Sequence, residues 1–80
     1  KFKEVFFERG LTKSFLEDYE GAIADFNKVL NSNPKVLDTY LYRGFAKFMN
    51  NDLKGACEDW ILLQSLGNFE AKNEIALNCN

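Results

Sequence analysis

The chain repeats itself at a fixed offset. Gly10 and Gly44 lie 34 positions apart, and the same offset carries Arg9 onto Arg43, Lys13 onto Lys47, Asp18 onto Asp52, Gly21 onto Gly55, Ala22 onto Ala56 and Asp25 onto Asp59. The clearest copies are DYEGAIADF, from Asp18, and DLKGACEDW, from Asp52. Identities in ungapped register at this period mean one supersecondary unit stacked on a copy of itself, because neither unit can cover its apolar face alone.

Inside each unit the apolar period is helical. Ala22, Ile23, Phe26, Val29 and Leu30 gather into one stripe of a helix, and Ala56, Cys57, Trp60 and Leu63 repeat it. Asp18 and Asp52 stand just before these stripes, where a short carboxylate accepts a hydrogen bond from a first-turn N–H, so both read as N-caps. Upstream, Val5 to Leu16 and Val36 to Asn50 give two more helical segments. Asn33-Pro34 ends the first unit, since the residue before proline avoids the helical region, and Gly67-Asn68 ends the second. Phe69 to Leu77 sets Ala71, Ile75 and Leu77 among polar residues, a fifth helix expected to cap the last unit. No segment reads as a strand.

These residues carry a resemblance. The first copy places Phe6, Arg9, Gly10, Lys13, Ala22, Phe26 and Pro34, and the second Tyr40, Arg43, Gly44, Lys47, Ala56, Trp60 and Asn68, where the tetratricopeptide (TPR) pattern W-x2-L-G-x2-Y, A-x3-F, P has its signature positions. The chain resembles that family over nearly its whole length. The departures are the arginines in place of leucine, the lysines in place of tyrosine, Val29 and Leu63 in place of alanine, and Asn68 in place of proline. The resemblance implies an all-α fold of five antiparallel helices in an α-α superhelix. It would be a single domain over residues 1–80: repeat 1 about 3–36, repeat 2 about 37–68, and a capping helix about 69–78. The paired arginines would then reach carboxylates on the neighbouring helix, Arg9 to Asp25 and Arg43 to Asp59 or Asp25. An interhelical ion pair is favoured there over a clamp for a ligand carboxylate.

Composition narrows the function. Eighty residues hold one small domain. A hydrophobic content of 46% with 15% aromatic residues is that of a folding chain rather than a disordered one. Ten Lys and Arg against twelve Asp and Glu give a net charge of −2, which lacks the positive field that nucleic acid or anionic lipid demands. No apolar run is long enough to span a bilayer. Histidine is absent, so there is no histidine general base, no Ser-His-Asp arrangement and no imidazole metal site. The carboxylates sit at helix starts or on expected solvent faces, and the glycines form no phosphate-cradling loop. The expectation is a protein that is not an enzyme and needs no cofactor or metal.

What remains is surplus apolar surface. Phe7, Leu11 and Phe15 form a second stripe on the first helix, and Leu41, Phe45, Phe48 and Met49 another on the third. In the family that the chain resembles, these positions line a concave groove for an extended peptide or a partner's helix. Apolar side chains there imply an apolar ligand, with Phe45 as its anchor. The alternative is structural: the stripes pack on further repeats or on another copy of this chain, as a homo-oligomer. The two cysteines leave the compartment open. A turn at Gly67-Asn68 sets Cys57 opposite Cys79. A reducing cytoplasm, slightly favoured, would keep both as thiols, whereas in a periplasmic or exported protein they form a candidate disulfide stapling cap to repeat.

Overall fold

A computed structural model of the chain describes residues 1–79; Asn80, the end of the expected domain, lies outside the described residues. Among the described residues there are five α-helices and no strand: α1 (Phe2–Phe15), α2 (Tyr19–Ser32), α3 (Leu37–Met49), α4 (Leu53–Ser65) and α5 (Lys72–Asn78). They form an all-α helical-repeat arrangement in which α1 packs on α2 and α3 on α4, with α2 against α3 joining the two hairpins and α5 closing on α4. The molecule measures 35 × 25 × 16 Å.

The same turn is written three times. After α1, Glu17 takes a left-handed backbone (φ 65°) and the Asp18 N–H closes back onto the Lys13 carbonyl at 2.7 Å. After α3, Asn51 does so (φ 65°), with Asp52 N–H on Lys47 at 2.8 Å. After α4 it is Gly67 (φ 94°), with Asn68 N–H on Leu63 at 3.2 Å. This six-residue closure satisfies carbonyls that a helix end leaves bare. In the first two turns the next residue immediately starts a helix. Asp18 and Asp52 accept from the N–H of Gly21 and Gly55 at 3.1 and 2.9 Å, as expected of N-caps. The α2 end differs because Asn33 is extended before Pro34 (φ −154°, ψ 99°), whose carbonyl accepts the Tyr40 hydroxyl at 3.1 Å.

Two apolar clusters fill the space between helices. Phe26 and Ala22 meet Ala46 in one, while Trp60, Leu63 and Ala56 meet Leu30, Tyr40, Leu41 and Ala71 in the other. Phe26 and Trp60, 34 positions apart, are wholly buried and lie directly over Gly10 and Gly44. A Cβ on Gly10 would stand 2.6 Å from the Phe26 ring, and one on Gly44 would overlap the Trp60 indole nitrogen. The glycines therefore set the distance between the helices of each hairpin.

The cap differs from expectation at its start. It begins at Lys72 rather than Phe69, because the Asn68 side chain accepts from Glu70 N–H at 2.9 Å and holds a turn there. Of its three apolar residues Ala71 is buried and Ile75 packs on the core, but Leu77 is 78% exposed. Cys57 on α4 and Cys79 beyond α5 are joined as a disulfide with Cα atoms 5.6 Å apart.

Candidate binding groove

Antiparallel hairpins return the chain to its starting direction, so α1 and α3 run parallel on the same side of the molecule. Their side-by-side contact is marked by the Phe7 and Tyr42 rings, 5.8 Å apart and edge to face. Above that seam lies a cleft of about 350 Å³ lined by Leu11, Ser14, Phe15, Tyr19, Tyr42, Phe45, Ala46 and Met49. A larger depression of about 540 Å³ lies between the start of α1 and the end of α2, but its walls are the first residues and the exposed Ser32. Among the described residues no three carboxylates or thiols converge as a metal would require, and no helix is long and apolar enough to cross a membrane.

Of the seven residues expected to line the groove, Leu11, Phe15, Phe45 and Met49 do so. Phe15 and Met49 are its exposed rims, 87% and 55% accessible. Phe7 sits half-buried beneath it, between Tyr42 and Phe26. Leu41 must be corrected: it is buried with Trp60 and Leu30, since its position on α3 points toward the following helix rather than the open side. Phe48 must be corrected too, because its ring lies 5.9 Å from Trp60 and outside the cleft wall. Phe45 has two faces. It lines the cleft and also sets its ring 5.4 Å from Trp60, so it supports the core and is no free anchor.

Tyr42, Tyr19, Ser14 and Ala46 were not anticipated. Tyr42 was within reach of the sequence, since Tyr42, Phe45 and Met49 follow the i, i+3, i+7 spacing of one stripe. The expected stripe shared Phe45 and Met49 with the cleft wall and differed in naming Leu41 rather than Tyr42. Tyr19 gives no periodic signal, because it enters the cleft from the start of a different helix.

Behind the groove the hairpins are pinned by buried charge. Arg9 donates through Nε and Nη2 to both oxygens of Asp25, each at 2.8 Å, and Lys13 Nζ is 3.3 Å away. Arg43 repeats the fork on Asp59 at 2.9 and 2.7 Å, with Lys47 at 3.3 Å, and its Nη1 donates to Asn27 of the preceding hairpin at 2.8 Å. The Arg9 hydrogen bond, assisted by Lys13, holds the Asp25 carboxyl below the usual carboxylate range despite its burial. The bond to Asp25 raises Arg9, and the bond to Asp59 raises Arg43. Both guanidinium forks engage the chain's own carboxylates, the interhelical ion pairs expected for the paired arginines.

No family model matches this chain, and no solved structure does. RNA polymerase II-associated protein 3 of Xenopus tropicalis is 39% identical over 62 residues. Those residues are 75% of this chain and 9% of that protein. The similarity therefore concerns a segment of about the size of this fold within a much longer relative.

Proposed function

We propose that the chain is a non-catalytic protein-interaction module of the tetratricopeptide type, which holds an apolar peptide or helix of another protein in the groove between α1 and α3. The observation that carries this reading is the exposure of Phe15 and Met49 at equivalent repeat positions on either side of one apolar cleft. Burying several large apolar side chains at about 1.5–3 kcal/mol each is enough for a micromolar interaction after association is offset. An all-helical repeat and a relative whose name describes an associated protein both support an interaction role. Domain limits near residues 3–36, 37–68 and 69–78 belong to the same reading.

The test uses a fluorescently labelled, neutral peptide of about eight residues carrying two leucines and a phenylalanine. Met49→Lys is expected to weaken its binding at least ~10-fold, because the ammonium would be desolvated, while the melting temperature stays put. Unchanged binding would place the working surface elsewhere.

One observation favours a structural role as a second reading. Phe2 and Val5, 53% and 56% exposed, stand at the repeat positions of Val36 and the fully buried Thr39. On α3 that face meets the preceding hairpin, so on α1 it would accept one more.

A further inference from the structure

The cap is lightly anchored. α5 has 7 residues, starts at Ala71 without a side-chain cap and carries no basic residue in its last turn. A helix so short does not persist in water by itself. Among the helices it rests on α4 alone, whereas α3 meets α1, α2 and α4. Its packing is one-sided: Ala71 and Ile75 join the cluster around Trp60 and Leu63, while Lys72, Asn73 and Leu77 are exposed. Among the described residues no ion pair reaches α5, although buried guanidinium forks tie α1 to α2 and α3 to α4.

What completes the attachment is covalent. The disulfide joins Cys79, directly after α5, to Cys57 in the second turn of α4. The cap is thus held at its start by the buried Ala71 and at its end by one bond between sulfurs. Both cysteines are only partly buried, which leaves that bond open to exchange with a soluble thiolate.

We propose that the Cys57–Cys79 disulfide is a redox latch on the cap. Oxidised, it holds α5 on α4. Reduced, it lets α5 leave as a local unit while the two hairpins stay folded on their own contacts, and the part of the Trp60 and Leu63 cluster that Ala71 and Ile75 cover becomes open to solvent. The reaction is thiol–disulfide exchange with a dithiol reductant. One thiolate of the dithiol attacks a sulfur of the pair and displaces the other cysteine as a thiolate, which takes up a proton. The second thiol of the reductant then resolves the mixed disulfide. Two electrons and two protons pass to the protein, which gains two cysteine thiols, and the reductant leaves as its own disulfide. The latch is independent of the groove between α1 and α3.

Hydrogen exchange read by mass spectrometry tests this on the whole chain in three forms: oxidised, treated with dithiothreitol without denaturant, and as the double variant Cys57→Ser, Cys79→Ser. Titration of the treated, folded chain is expected to find both thiols free. The amides of α5 are expected to exchange at least ~10-fold faster in the reduced chain and in the double variant than in the oxidised chain, while α1 to α3 stay protected. Dithiothreitol should change nothing in the double variant. A bond that resists dithiothreitol until the chain unfolds, equal exchange of α5 in the oxidised and reduced chains, or loss of protection throughout α1 to α3 on reduction would each overturn the latch.

Discussion

Asp25 and Asp59 are buried carboxylates on the inner faces of α2 and α4, and each is held by a guanidinium fork and a lysine from the facing helix. Because Asp25 titrates below its unfolded value, the stability it contributes is fully present above about pH 4 and is lost as pH falls through its depressed pKa. Urea unfolding followed from pH 6 to 2 is therefore expected to show an acid limb that Asp25→Asn flattens; a limb of the same steepness in the variant would assign acid sensitivity to other groups. Steric precision matters equally at Gly44. Alanine there would gain about 1 kcal/mol of helix propensity but would force the fully buried Trp60 from its place, where the indole N–H donates to the Leu41 carbonyl at 3.3 Å. Overpacking of this kind costs about 1–3 kcal/mol, so Gly44→Ala is expected to be net destabilising in a denaturant titration. A stabilised variant would show that the helix pair yields freely. Both features were legible as recurrences: the Arg, Lys and Asp of each copy share the 34-residue offset, and Gly10 and Gly44, like Phe26 and Trp60, recur at it, although which residue covers each glycine came only with the structure. Which carboxylate Arg43 grips was not legible, because Asp25 and Asp59 are both within a repeat of it and only the hairpin geometry decides.

The helices owe their limits to three copies of one turn, and the copies are unequal in quality. Gly67 meets the left-handed position without a Cβ and Asn51 with a tolerated side chain, whereas Glu17 carries a long one at φ 65°. Glu17→Gly is expected to raise stability by roughly 0.5–1 kcal/mol, the cost of the left-handed backbone less the freedom that glycine adds to the unfolded chain. Thermal melts of the two proteins check this, and a lower melting temperature for the variant would mean that the turn is not under strain. Periodicity revealed the helices because the stripes at Ala22 and Ala56 are long and bounded by N-cap aspartates. It misplaced the start of α5, where Asn68 folds its amide back on Glu70, a local hydrogen bond that leaves no trace in an apolar pattern. Leu77 misled for the opposite reason, since a helix of 7 residues is too short to bury its last turn.

At the scale of the molecule, repetition turns two local patterns into one surface. Each hairpin buries its own outer helix, and stacking the hairpins sets the open sides of α1 and α3 next to each other, apolar where Leu11 and Phe15 meet Phe45 and Met49. The existence of such a surface was legible from surplus apolar residues on the first and third helices. Its membership was legible only in part. A helix turns about 100° per residue, so one position separates Tyr42 on the cleft wall from Leu41 in the core beside Trp60, and only packing tells which of them is inside. The most direct measurement of the groove is a nitrogen-15 NMR titration of the labelled chain with the neutral apolar peptide. Amide shifts concentrated on Leu11, Ser14, Phe15, Tyr42, Phe45 and Met49, with α4 and α5 silent, are the expected result. Shifts centred on α4 or α5, or groove shifts that follow protein concentration in the absence of peptide, would contradict the account.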